Sequence, residues 1–288
     1  MRAVIRCALA VLVVAAGVPA GPAAVSQATA ARPGPTNQFG FGITSVQPSP
    51  DDVVGVAHPV VITFGAPVTD RVAAERALNL KSVPAMTGRF EWTDSTVLQW
   101  QPDGFWPAHT TVALSVRGRP TNFKTGPAVV GVASIAEHTF TVTIDGHEAG
   151  PPSALPAPHH RPNWGQEGVF PASMGRPKYP TPVGIYPVLG KERSVVMDSS
   201  SVGIPVNSPD GYHMTVDHAV RITKRGLFVH GAPWAVNALG FENVSHGCIS
   251  LSPEDAAWYF DTVNVGDPVI VRDNSLEVPT EPKITRAY

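Results

Sequence analysis

Cysteine is nearly absent: there are two in 288 residues, Cys7 and Cys248. Charge is sparse as well, at 15% Asp, Glu, Lys and Arg, against the roughly 25% of ordinary globular domains. Basic residues number 21 and acidic residues 23, a formal net charge of −2. The basic stripe of a nucleic-acid binder is therefore missing. No apolar run reaches the ~20 residues of a membrane-spanning helix. What is abundant is turn chemistry, with 30 prolines and 26 glycines alongside 43% hydrophobic residues. Such a chain buries a core with many short strands and turns, which excludes wholesale disorder.

The first segment is an address. Arg2 and Arg6 precede an apolar run from Cys7 to Val18, and small residues follow, with Val18-Pro19-Ala20 or Ala28-Thr29-Ala30 as cleavage sites. This is the layout of a secretory signal peptide over residues 1–31, so the protein is expected to be exported, to the periplasm or cell wall. An uncleaved anchor fits less well, because twelve helical residues rise only about 18 Å. A lipoprotein fits less well again, because Cys7 precedes the apolar run. Removal of Cys7 leaves Cys248 as the single thiol. No internal disulfide is then possible, and the thiol is either buried and inert or reactive.

The remainder divides in two. Residues 32–40 read as a linker. Over 41–126, β-branched runs such as Val60–Phe64, Thr96–Trp100 and Thr111–Val116 alternate with turn signals, which predicts an all-β sandwich with one helical turn at Asp70–Leu78. His58 and His109 sit beside turns and read as solvated loop residues. Residues 127–272 form a second β-rich unit, with strands at Ala128–Val132, His138–Ile144, Val183–Val188, Val195–Met197, Ala219–Thr223, Leu227–Val229 and Pro268–Arg272. Between them the proline-rich Glu148–Gly168 stretch reads as a long exposed loop. Its His159-His160 pair makes a poor metal site, because adjacent residues of an extended loop point apart. The main helix follows Cys248: Ser252 caps it, Pro253 suits its first position, Asp255 completes a capping box, and the apolar run ends at Gly266. Residues 273–288 are a polar tail. The fold expected is mainly β.

The chemistry lies between His230 and Cys248. An unperturbed thiol is only a few per cent thiolate at neutral pH, so a neighbouring imidazole must take its proton or hold the thiolate as an ion pair. His230 and His246 are the two candidates. His230 ends an apolar strand, and the following loop is long enough to return Cys248 beside it. If residues 246–248 were extended, His246 and Cys248 would share a face with Cβ atoms about 6 to 7 Å apart; Gly247 permits a tighter turn. The Gly247 and Cys248 amides are natural oxyanion donors, and Gly247 has no side chain to obstruct an approaching carbonyl. Two other readings stay open at this point: a zinc site from His230, His246 and Cys248, which lacks a clear fourth ligand, and a purely structural cluster.

The motif SHGC, residues 245–248, with HGAPW at 230–234, resembles the L,D-transpeptidases of bacterial cell walls, with a YkuD-type catalytic domain. Stretches 173–186, 196–212, 219–230 and 258–271 resemble the same domain in the same order. The likeness is greatest to mycobacterial-type enzymes that carry immunoglobulin-like domains before the catalytic one. It implies a thiolate attack by Cys248 on the third residue, meso-diaminopimelate, of a peptidoglycan tetrapeptide stem. D-Alanine leaves, and a second stem's amine resolves the thioester. His230 would be the base, His246 a supporting residue, and Gly247 and Cys248 the oxyanion donors. Tyr212 falls on a lid position, Met197 on a pocket wall and Trp234 beside the base. Carbapenems would acylate Cys248. No cofactor or metal is implied.

Departures from the family pattern are Ser250, where Asn or Arg is usual; Gly231, where serine is common; and Val202, where a lid tyrosine can stand. Gly231 and Ser250 are carried as substrate-binding positions with Tyr212, Met197 and Trp234. The competing functions are a hydrolase using the same acyl-enzyme, such as an L,D-carboxypeptidase, and a non-catalytic wall-binding protein.

Overall fold

A computed structural model describes residues 42–156, 158–159 and 165–273. The expected signal peptide, the linker, the tail beyond Asp273 and His160 lie outside the described residues.

The first half holds β1 (Ile43–Gln47), β2 (Val53–Val54), β3 (Val60–Phe64), α1 (Arg71–Leu78), β4 (Lys81–Val83), β5 (Gly88–Trp92), β6 (Val97–Pro102), β7 (Thr111–Val116) and β8 (Arg119–Thr125). They form two four-stranded sheets, ordered β1-β3-β6-β5 and β2-β8-β7-β4. Alternation along the chain sets the inner faces: Val60, Ile62 and Phe64 on β3, and Val112, Leu114 and Val116 on β7, are all buried. Trp106 fills the centre, 5.8 Å from the Trp100 ring and 5.4 Å from Phe123. The expected helical turn is α1. Asp70 caps it by accepting from the Ala73 amide at 2.9 Å, and it ends at Asn79 in a left-handed conformation.

The second half holds β9 (Val129–Ser134), β10 (Thr139–Ile144), β11 (His147–Glu148), β12 (Val169–Pro171), β13 (Gly184–Pro187), β14 (Gly190–Asp198), β15 (His213–Arg221), β16 (Phe228–Gly231), β17 (Ile249–Leu251), α2 (Pro253–Thr262) and β18 (Pro268–Arg272). One sheet runs β11-β10-β9-β18-β13, with β12 paired to β10, and the other runs β14-β15-β16-β17. Their buried faces and α2 share one core, which includes Phe140, Met174, Val229, Ile249, Tyr259 and Val269. Tyr259 of α2 meets Phe140 edge-on at 4.8 Å. The mainly β class and the single long helix after Cys248 stand as the sequence predicts.

Details differ. α2 ends at Thr262 with Val263 as its C-cap, before Gly266. Ser252 does cap it through the Asp255 amide at 3.1 Å, while the buried Asp255 carboxylate accepts from Ser153 Oγ at 2.7 Å. Ser153 lies inside the stretch expected to be an exposed loop, so that stretch is tied to the core. His159 tightens it again: its Nδ1 is 3.0 Å from the Leu239 carbonyl, and its ring is 5.0 Å from Phe241.

The histidines expected to be solvated have structural partners as well. His58 is half-buried against Gly266, and burial pulls its pKa below the usual value. Exposed His109 pairs with Asp145 at 2.8 Å, and Asp145 also accepts from the Ala128 amide. Both histidines sit where residues 55–58 and 106–110 meet the second half. Gly55 donates to Val265 and Ala57 to Gly266. A Cβ at Gly55 would stand 2.0 Å from the Asp267 nitrogen, so only glycine fits.

Candidate active site

The site rests on a parallel pair of strands. β16 and β17 align His230 with Ser250 and Val229 with Ile249. Cys248 immediately precedes β17, two residues before Ser250, so the pleat turns both toward one side. There they open on a cavity of about 390 Å³ that is lined by His230, Cys248, Ser250 and His246, and also by Met197, Tyr212 and Trp234. The sequence-predicted residues converge, apart from Gly231 and Gly247, which hold the backbone at its edge.

His230 is 4% exposed. Its Nδ1 lies 2.8 Å from the Gly231 carbonyl. A carbonyl oxygen only accepts, so Nδ1 carries the proton and Nε2 is left as the acceptor, the tautomer a base requires. The contact uses Gly231's backbone, so the missing serine hydroxyl is not needed for it. Burial holds the imidazole below its ordinary pKa, partly offset by the Gly231 bond. The Trp234 ring, 53% exposed, stacks 6.0 Å from His230 and shields one face.

Cys248 Sγ donates to the Gly226 carbonyl at 3.8 Å. Burial pushes its thiol up to about 11, against a smaller opposing effect of the Phe228 backbone. Thiol and imidazole are thus both neutral at pH 7. This favours proton transfer during attack over a standing thiolate–imidazolium pair.

His246 has different surroundings. Its Nε2 lies 2.9 Å from Arg176. A guanidinium only donates, so Nε2 accepts. Tyr179 stacks on the ring at 4.9 Å and Tyr212 flanks it at 4.9 Å. Burial first, and then the Arg176 charge, lower its pKa. Its ring is thus packed between the two tyrosines with Nε2 engaged by a cation. Asp210 ties this wall together by pairing with Arg176 and Lys178 and accepting from Tyr179 Oη at 3.1 Å. Among the described residues no group of three or more His, Cys, Asp or Glu side chains is arranged to hold a metal ion.

Residues 246–248 take the tighter turn that a glycine permits, with Gly247 at φ +117°. The Gly247 amide donates to Ser245 Oγ at 3.0 Å, and that hydroxyl donates to the Cys248 carbonyl at 2.6 Å. Gly247 is therefore spent inside the turn, and of the two expected oxyanion donors the Cys248 amide is the one not engaged this way. An added Cβ at Gly247 would meet the Leu227 side chain at 3.0 Å. Val202 lies in a 3-10 turn (Ser199–Val202), half exposed and not among the residues lining the cavity. Residue types alone did not reveal Arg176, Tyr179 and Asp210. The only signals were the 173–186 stretch, which holds Arg176 and Tyr179, and the 196–212 stretch, which holds Asp210, both of which resemble the family.

Comparison with known proteins places this geometry in a class. The family model described as the L,D-transpeptidase catalytic domain matches residues 161–271, and that of a bacterial Ig domain matches residues 20–122. The chain belongs to the L,D-transpeptidase family, whose members are cysteine-dependent enzymes. It is 64% identical to a probable L,D-transpeptidase 3 of Mycobacterium tuberculosis, over 95% of this chain and 100% of that one. The crystal structure of L,D-transpeptidase 3 from that organism, in complex with a faropenem-derived adduct, matches with a TM-score of 0.76 and 67% identity, covering 82% of this chain and 100% of that chain. An LD transpeptidase in complex with imipenem matches at 0.71 and 50% identity, over 81% of this chain and 99% of that chain.

Proposed function

We propose that this enzyme cross-links peptidoglycan stem peptides through a thioester on Cys248. The observation that carries the reading is a lone thiol sharing one cavity with an imidazole whose Nδ1 is held by a backbone carbonyl. Cys248 Sγ attacks the carbonyl of the third stem residue, meso-diaminopimelate, and its proton passes to His230 Nε2. The carbonyl oxygen becomes an oxyanion facing the Cys248 amide. The C–N bond then breaks, and D-alanine leaves with the proton returned by His230. In the second half, the side-chain amine of another stem attacks the thioester carbonyl. His230 takes the amine's proton, and the departing thiolate recovers it.

In this reading His246 is a supporting residue, held neutral by burial and by Arg176. Met197, Tyr212, Trp234 and Ser250 form the walls that contact the donor, and Gly231 orients the base. A strained β-lactam carbonyl imitates the donor amide, so carbapenems would acylate Cys248. The chain would divide at about residue 126, with an exported sandwich carrying the catalytic unit at the wall. The separate buried clusters of residues 54–123 and 129–271 support that division. No described helix is long and apolar enough to cross a membrane.

The test is intact mass after incubation with a carbapenem, beside a Cys248→Ala variant. A stoichiometric adduct on the unmodified chain alone supports the mechanism; no adduct on folded protein overturns it. Defined muropeptides then separate cross-linked dimer from water-released tripeptide, the product expected of the rival hydrolase.

A further inference from the structure

Thr181 is buried, lies between β12 and β13, and does not line the cavity. Its hydroxyl accepts from the Gly175 amide at 2.8 Å and donates to the Gly247 carbonyl at 2.8 Å. The first bond occupies a lone pair, so the single hydroxyl proton is committed to Gly247. The segment around it is strapped along the catalytic turn: Ser245 donates to the Met174 carbonyl, Arg176 donates to that of Ser245, and Ser173 and Ser250 exchange both backbone bonds. Gly175 allows this approach, since a Cβ there would stand 2.1 Å from the Tyr179 oxygen. The hydroxyl therefore hangs from a fixed frame.

We infer that Thr181 is a positioning residue for the oxyanion donor, orienting the Cys248 amide by gripping the other end of the same peptide. This rests on the reading of Cys248 as the nucleophile. The Gly247–Cys248 peptide is trans, and a planar trans peptide carries its C=O and the following N–H in opposite directions. Fixing the Gly247 oxygen against Thr181 thus fixes the direction of the Cys248 N–H. The constraint matters because Gly247, at positive φ, can otherwise rotate that plane at little cost. It matters more because the Gly247 amide is committed to Ser245, which leaves one turn amide to meet the developing charge. Ser245 holds the carbonyl of Cys248 and the amide of Gly247, and Thr181 holds the peptide between them. The pair fixes three consecutive groups of the turn.

The test separates oxyanion stabilisation from thiol reactivity. In the full-length chain, Cys248 is challenged with imipenem, whose attack passes through an oxyanion. In parallel it meets iodoacetamide, which is displaced at a saturated carbon and forms none. Thr181→Val keeps the shape and loses the hydroxyl; Thr181→Ser keeps the hydroxyl. The expected result for Thr181→Val is acylation slowed about tenfold or more, with alkylation within about twofold of the parent, and Thr181→Ser restoring acylation. Unchanged acylation, or acylation and alkylation falling together, overturns the inference. Should the valine variant not fold, Thr181→Ala takes its place, and the ratio of acylation to alkylation decides in the same way. A parent chain that is alkylated but never acylated would instead overturn the underlying assignment of Cys248.

Discussion

Two walls of one cavity each present an imidazole to Cys248, and they are built on opposite physical plans. The β16 wall buries His230 and, among the described residues, holds its ring through Nδ1 at the Gly231 carbonyl. The outer wall wedges His246 between two tyrosines and binds it to a charged cluster of Arg176, Asp210 and Lys178. Both plans favour the neutral ring, with burial as the leading cause in each and the Arg176 charge added at His246. Burial alone leaves Nε2 of His230 available, whereas the guanidinium uses up Nε2 of His246. Residue type therefore does not separate the two histidines; the state of one nitrogen does, and it favours His230 as the proposed base.

The largest expected effect tests that contrast directly. His230→Asn should slow acylation by a carbapenem about a thousandfold, the scale of losing a general base. His246→Asn should cost only about tenfold, because it loosens the wall. Rates from intact mass or from loss of the lactam chromophore decide the matter. Equal losses in the two variants would break the assignment.

Next comes the pH dependence. With the Cys248 thiol raised to about 11 by burial, the fraction ionised grows about tenfold per pH unit below that value. Iodoacetamide alkylation should climb about tenfold per unit from pH 7 to pH 10, with no plateau. A plateau at or below pH 7 would mean a standing thiolate–imidazolium pair, and the two walls would then differ in charge as well as in packing.

A smaller effect sharpens the account of the outer wall. Arg176 is the second cause, after burial, of the lowered His246 pKa. Arg176→Gln should move that pKa part of the way back up and leave His230 where it is, since burial is its leading cause. Ring-proton chemical shifts followed against pH would report both. Movement of both rings, or of neither, would show that the walls are not independent.

Much of this is legible in the residues. A single thiol downstream of a strand-ending histidine points to the proposed nucleophile and base, because cysteine is scarce here and both groups are reactive. The strands declare themselves through β-branched runs, and Ser252-Pro253 announces α2. What escapes is everything made by chain-distant polar contacts. Arg176 reaches His246 across 70 positions, and Ser153 reaches Asp255 across 102; no local pattern encodes either. His58 and His109 look like loop residues in sequence and become contacts of the seam only after the halves meet. The engagement of the Gly247 amide by Ser245 is equally hidden, because only the folded turn fixes the direction of that hydroxyl.

Ser250 gives the finest test of the β16 wall. It is 2% exposed, aligned with His230 across the strands, and its amide is fixed to the Ser173 carbonyl. It nevertheless lines the cavity. A serine hydroxyl is short and offers one donor, whereas an asparagine amide extends further and offers two donors and an acceptor. If reach limits the grip on the donor stem, Ser250→Asn should raise the acylation rate severalfold. The backbone bonds to Ser173 would remain, because they do not involve the side chain. An unchanged rate would mean that β17 contributes only its backbone here, and that Met197, Tyr212 and Trp234 do the positioning. A lower rate would mean that the tightly packed niche beside His230 has no room for the larger amide, and that serine matches the space the base leaves.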